Sequence, residues 1–281
     1  MIGGRGLLSI AGSKGVWSSG SAYDPYMGRW SRLIASDFVS WLGVPAQRRW
    51  LDVGCGTGAL SEAILKKGQP AQVTAVDLSQ HYVEYARPLF NDARIKFKQG
   101  NALHLSSWEG GYDAVVSGLV LNFISEPRQA LAEITRVTAT NGMVAAYVWD
   151  YADQMQLLRY FWDSAITLNP EVRSLDEGQR SLICNPATLT SLFRDAGIGS
   201  VETRAIDVVA RFANFDEYWL PFLGGQGTVA SYAMSLREEE RRELRACIMS
   251  RLPIAADGSI EMLLRAWAVK GICEDKKQSA A

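Results

Sequence analysis

Glycines 54, 56 and 58 stand between the apolar run Trp50-Leu51-Asp52-Val53 and an amphipathic segment beginning at Leu60. Glycines spaced this way let a chain turn sharply and let a ligand lie against the main chain. The amides exposed at the start of the next helix attract electron-rich atoms. Two carboxylates flank the turn. Asp52 stands two residues before the first glycine, where a dinucleotide-binding turn usually carries an apolar residue. A carboxylate there can hold the turn's amides and interact with the ammonium of an amino-acid ligand. Asp77 closes the next apolar run, and its two oxygens can accept both hydroxyls of a ribose. Gly100-Asn101-Ala102 follows a third run, where an amide side chain can hydrogen-bond an adenine edge.

These residues need a sheet to bring them to one edge. Trp50–Val53, Gln72–Asp77, Ile95–Lys98, Tyr112–Ser117 and Met143–Val148 read as strands. Helices read between them: one over Leu60–Lys67 stopped by Gly68, one capped by Ser79 with Tyr82, Val83 and Ala86 at helical spacing, and one starting at Pro127. Strands separated by helices pair in parallel. A helix over Pro186–Ala196, a strand near Val201–Val209 and a last strand over Ile260–Val269 continue the pattern. The expected fold is α/β: a doubly wound, mostly parallel seven-stranded sheet with helical cap inserts. The glycine spacing alone also satisfies the dinucleotide fingerprint. The ribose contact is common to NAD and S-adenosylmethionine, and Asp52 with the Asn101 segment favours the second.

The runs Leu51-Asp52-Val53-Gly54-Cys55-Gly56-Thr57-Gly58, Ala75-Val76-Asp77-Leu78-Ser79, Gly100-Asn101-Ala102 and Tyr112-Asp113-Ala114-Val115-Val116-Ser117, with the helix and turn from Leu131 to Gly142, together resemble class I S-adenosylmethionine-dependent methyltransferases, specifically the type 11 branch. The resemblance covers roughly residues 45–150. Tyr26-Met27-Gly28-Arg29-Trp30-Ser31 is similar to a segment that precedes the core in some bacterial members. The resemblance implies a Rossmann-like methyltransferase fold and the cofactor S-adenosyl-L-methionine, with S-adenosyl-L-homocysteine as product. The contacts it implies are Asp52, Gly54, Cys55 and Gly56 in the turn, and Asp77 and Leu78 after the second strand. Asn101 and Ala102 follow the third strand, and Gly118 and Leu119 the fourth. Tyr26, Arg29 and Trp30 would lie against the methionine end. Two positions depart from the family. Asn101 stands where Asp is more frequent, and Asn122, within Val120-Leu121-Asn122-Phe123, where many relatives carry His. The resemblance therefore carries cofactor contacts over and no catalytic residue.

Composition narrows the partners. A net charge of −1 in 281 residues supplies no field for nucleic acid. No apolar run approaches the roughly 20 residues of a membrane span. Cysteines 55, 184, 247 and 273 form no CxxC pair, and with only His81 and His104 a metal site is not expected. The expectation is a cytoplasmic protein with reduced thiols. The domain reading is a flexible leader over 1–22, a cofactor-binding core with its entering helix over 23–150, and a helical insert over 151–187. The core continues over 188–210, followed by a cap insert over 211–257 and the last strand and tail over 258–281. The insert aromatics Phe215, Tyr218, Trp219 and Phe222, with the hinge-like Gly224-Gly225-Gln226-Gly227, read either as an ordinary mini-core or as a substrate lid, which would reach the carboxyl edge from strand six only by folding back. Tyr23, Tyr26 or Trp30 could face a cationic sulfonium, worth about 0.5–2 kcal/mol. The expected function is methylation of a small molecule. Competing readings are an NAD-dependent oxidoreductase and an S-adenosylmethionine-binding partner protein without turnover. The sequence assigns neither the acceptor nor an oligomeric state.

Overall fold

The computed structural model describes residues 27–224 and 227–274. The expected leader and Tyr26 lie outside the described residues, as do two residues of the glycine-rich hinge. β1 (Arg49–Val53), β2 (Gln72–Asp77), β3 (Ile95–Gln99), β4 (Tyr112–Gly118), β5 (Thr138–Trp149), β6 (Ile198–Phe212) and β7 (Ile260–Cys273) form one seven-stranded sheet in the order β3-β2-β1-β4-β5-β7-β6. β1 to β5 pair in parallel, and β7 runs antiparallel to both β5 and β6. The doubly wound, mostly parallel sheet expected from the sequence is the one observed. Burial explains the apolar runs. Trp50 to Val53 and Val73 to Val76 are buried residue after residue, as strands covered on both faces must be. The end of β6 alternates buried and exposed positions, as an edge strand does.

The helices follow their signals. α1 (Arg29–Leu42) buries Ile34, Ala35, Phe38 and Leu42 at helical spacing, and the Phe38 ring lies 4.6 Å from that of Tyr147 on β5. Ile34, Phe38 and Leu42 each contribute about 1.5–3 kcal/mol on full burial. α2 (Ala59–Ala63) follows the glycine turn and widens into a π-helical turn over Ile64–Gly68. Its left-handed end is Gln69 (φ 42°), one residue beyond the expected stop. α3 (Gln80–Ala86) is capped by the Ser79 hydroxyl. α4 (Pro127–Val137) and α7 (Pro186–Asp195) both start with proline in the first turn.

Two inserts complete the chain. The first carries α5 (Gln156–Leu168) and the short α6 (Glu177–Arg180); the second carries α8 (Phe215–Trp219), α9 (Gly227–Ser235) and α10 (Glu238–Arg251). Because β7 is antiparallel, β6 runs in the direction of β5 and ends at the same sheet edge. The second insert thus leaves directly from the carboxyl edge, and no fold-back is needed. The inserts pack on one another. Phe161 lies 5.5 Å from Trp162, 6.5 Å from Trp219 and 5.2 Å from Phe222. The Tyr218 hydroxyl donates to the Leu157 carbonyl at 3.0 Å, and Arg180 donates to the Thr228 hydroxyl at 3.2 Å. Of the two readings of the aromatics, the mini-core is the one observed for Trp219 and Phe222. Trp219 (4% exposed) and Phe222 (0%) are the insert's own core. They face α5, which the sequence pattern of the second insert alone does not reveal.

Candidate functional site

The turn after β1 is built on β2. The amides of Gly54 and Cys55 both donate to the Val76 carbonyl, at 2.8 and 3.0 Å. Gly54 has φ 79°, and a Cβ there would lie 2.5 Å from Val120 Cγ2, so only glycine meets both demands. Asp77 then ties the turn down. Its Oδ2 accepts the Gly56 N–H at 2.9 Å, and its Oδ1 accepts the Ser79 N–H at 2.9 Å. An ionised carboxylate has about four acceptor positions, so each oxygen keeps one for a ligand hydroxyl. Burial raises the Asp77 carboxyl above its usual range, against the two backbone donors.

Asp52 lies beneath the turn, fully buried. Its Oδ2 accepts the Ser61 hydroxyl at 2.6 Å, while Oδ1 has no partner. Holding the turn's amide thus falls to Asp77 and not to Asp52. Burial pushes the Asp52 carboxyl up to about 7, the Ser61 hydroxyl opposing and the nearby Asp77 charge adding. Burial and the same two carboxylates push the Cys55 thiol up as well, which keeps it protonated and unreactive.

A cavity of about 550 Å³ opens from this turn. Its lining includes Gly54 to Thr57, Asp77, Gly118 to Val120, and Met27 and Ser31 at the entering helix. Leu119 holds φ 60°, a conformation costing a bulky residue roughly 1–3 kcal/mol, while its N–H donates to the Tyr147 carbonyl at 2.8 Å. The lining continues with Tyr147 and Trp149 of β5, Tyr151 just after it, and Glu177, Arg180, Thr228 and Ser231 of the inserts. Asn122 also borders it, with both amide atoms buried and unpartnered.

Among the residues expected from the sequence, Gly54, Cys55, Gly56, Asp77, Gly118 and Leu119 meet at this wall. Arg29 and Trp30 do not. Trp30 packs on Phe212 of β6, ring centroids 5.5 Å apart. The Arg29 guanidinium lies 4.2 Å over the Trp30 ring and pairs with Glu217 at 3.3 Å. The helix turns Met27 and Ser31 to the cavity in their place. Leu78 (65% exposed), Asn101 and Ala102 also lie off the wall. Asn101 Oδ1 accepts the Leu103 N–H at 3.0 Å, so that oxygen is committed to a local turn. These residues stand beside Asp77, because β3 pairs Gln99 with Asp77 and Gly100 N–H donates to the Asp77 carbonyl at 2.8 Å. Sequence reasoning missed Thr57, Tyr82, Tyr147, Glu177 and Thr228. Tyr82 lies inside the capped helix and was within reach; Glu177 and Thr228 carry no local signal.

The residues fit an adenosyl amino acid. Asp77 keeps acceptor positions for a ribose, Asp52 holds an orphaned buried oxygen beneath the turn, and Gly56 has open space where a Cβ would stand. A sheet of this order with a glycine turn after β1 and an acid closing β2 defines a class I Rossmann-like methyltransferase. The chain belongs to the S-adenosylmethionine-dependent methyltransferases, and residues 51–146 match the methyltransferase domain family. It is 31% identical over 171 residues to a demethylmenaquinone methyltransferase of Clavibacter sepedonicus, covering 57% of this chain and 69% of that protein. It is 28% identical over 127 residues to a malonyl-[acyl-carrier protein] O-methyltransferase of Acetivibrio thermocellus, covering 44% of each. The chain thus spans under half the length of some curated relatives it matches. Solved structures agree in fold. The YcgJ protein of Bacillus subtilis has a TM-score of 0.54 at 18% identity, covering 86% of this chain and 99% of that one. A Haemonchus contortus phosphoethanolamine N-methyltransferase in complex with S-adenosyl-L-methionine has a TM-score of 0.55 at 15% identity, covering 91% of this chain and 57% of that one.

Proposed function

We propose that this protein transfers a methyl group from S-adenosylmethionine to a small molecule held between the glycine turn and the two inserts. The observation that carries this reading is that one cavity joins Asp77 and the turn to polar side chains of both inserts. Bound S-adenosylmethionine supplies a methyl group made electrophilic by its sulfonium. The protein supplies position and a dry site. Asp77 accepts the ribose hydroxyls, and the Asp52 charge beneath the turn favours the amino-acid ammonium. Leu78 and Asn101, beside Asp77 at the sheet edge, form an outer shelf for adenine, with the Asn101 amide N–H still able to donate. The inserts close the acceptor end, Arg180 and Thr228 joining them across its rim.

Calorimetry tests the cofactor first: S-adenosylhomocysteine binds, and NAD does not bind comparably. Radiolabelled methyl transfer to a mixture of small metabolites then tests turnover. Tight NAD binding with no response to S-adenosylhomocysteine overturns the reading. Cofactor binding with no transfer even in a single turnover supports a partner protein without catalysis.

A further inference from the structure

We propose that Glu177 is the acceptor-side base of this cavity, taking the proton of a hydroxyl on an otherwise apolar acceptor. The proposal rests on the methyl-transfer reading and names the acceptor class for it.

Glu177 is the first residue of α6, and its backbone is fixed on both sides. Asp176, 1% exposed, caps the helix by accepting the Gly178 N–H at 2.8 Å. It also takes a two-point contact from the Arg159 guanidinium at 2.7 and 2.9 Å. Arg159 donates in addition to the Tyr151 carbonyl at 3.0 Å. A Cβ on Gly178 would lie 2.6 Å from Arg159 Nη1 and 2.7 Å from the Tyr151 oxygen, so the segment is pressed against α5 and the chain leaving β5. The Glu177 side chain is thereby held at the cavity wall, where its Oε2 accepts the Trp162 indole N–H at 2.5 Å.

A neutral acceptor would satisfy that indole without burying a charge. A carboxylate placed there, bordering the cavity, has a use beyond the indole. Burial raises the Glu177 carboxyl above its usual range, against a backbone N–H and the Trp162 and Thr228 donors, which makes it a stronger base than a free carboxylate. The apolar part of the cavity lining includes Leu119, Val120, Phe123, Ile124, Leu158 and Val229. That selects an apolar body. Arg180 at the rim and the positive sulfonium both disfavour an ammonium, whereas a hydroxyl enters uncharged. In the transfer, the acceptor O–H bond breaks and its proton passes to Glu177. The O–CH3 bond forms as the CH3–S bond breaks, leaving a neutral thioether.

The test uses 2-naphthol, with naphthalene and 2-naphthylamine as controls. Wild-type protein saturated with S-adenosylhomocysteine binds 2-naphthol at least about tenfold more tightly than naphthalene. Glu177→Gln keeps an acceptor for Trp162 and the same S-adenosylhomocysteine affinity. It cuts the preference for 2-naphthol at least about fivefold. With S-adenosylmethionine, wild type forms the naphthyl methyl ether, and the variant does so about 100-fold more slowly in kcat. If the variant does not fold, the wild-type comparison still decides: equal affinity for naphthol and naphthalene, or no affinity for naphthol, overturns the proposal. So does an unaltered variant, or faster methylation of 2-naphthylamine. Failure to bind S-adenosylhomocysteine sinks the methyltransferase reading itself, which separates the two failures.

Discussion

The carboxylate of Asp77 bonds the backbone of Gly56 across the turn, Oδ2 to N–H at 2.9 Å, so the end of β2 holds in shape the loop that leaves β1. One side chain thus serves both the turn's geometry and the ligand's hydroxyls. Replacing Asp77 by Ala removes both. At about 1.5–3 kcal/mol for a hydrogen bond to a charged group, S-adenosylhomocysteine binds roughly 10- to 150-fold more weakly. Calorimetry on a variant whose circular dichroism matches wild type measures this; an unchanged dissociation constant would show that Asp77 is not the ribose ligand.

Asp52 makes the site sensitive to pH. Its carboxyl titrates at about 7, so below that pH it is protonated and presents no charge to the ligand's ammonium. S-adenosylhomocysteine affinity therefore rises toward pH 7, by up to about tenfold per unit, and levels off above it. Asp52→Asn flattens this profile. Stability runs the other way. The folded protein keeps the Asp52 proton that the unfolded chain releases near the ordinary carboxyl value. This group's contribution to stability is therefore lost as pH rises from about 4 to 7. Ligand-free Asp52→Asn should melt above wild type at pH 8 and close to it at pH 4. Equal melting temperatures at both values would refute the buried-proton account.

Trp219 and Phe222 form the meeting surface of the two inserts, so their joint replacement by Ala acts on folding before it acts on acceptor choice. Core aromatic truncations cost about 3–5 kcal/mol each. Hydrogen exchange should show α5, α8 and α9 opening together, while β1 and β2 stay protected. Native-like protection in both inserts would mean that the packing is not shared.

Arg29 gives the opposite contrast. Its guanidinium is engaged by Glu217 and the Trp30 ring on a half-exposed surface. Arg29→Ala should change stability by less than about 1 kcal/mol and leave S-adenosylhomocysteine affinity within about twofold. A tenfold loss of affinity would return Arg29 to the cofactor's contacts.

The sheet was readable because its signals are local: apolar runs for covered strands, Ser79 for a cap, Gly54 for a left-handed turn. Asp77 was readable for the same reason, since its place follows from the strand it ends. Trp30 misled because a helix turns only one side toward a ligand. Here the side is chosen by Phe212, on a strand far along the chain. Asn101 was placed at the right edge, yet its oxygen was claimed by Leu103, two residues on. Glu177 was invisible, since its meaning comes from the burial of Trp162 and the Arg159–Asp176 pair, and none of these shows in its own neighbourhood.

β6 and β7 are paired neighbours, and their register closes with Phe212 opposite Ile260. The chain between them therefore begins and ends on one rung of a hairpin ladder. A loop strung this way can be lengthened, shortened or exchanged without reordering any parallel strand. Descendants of such a protein could inherit the adenosine grip unchanged while trading the stretch of pocket wall, Gly227 to Val229 and Ser231, that this loop supplies. A graft spliced at 213 and 259 from another member of the fold would be the laboratory form of that inheritance.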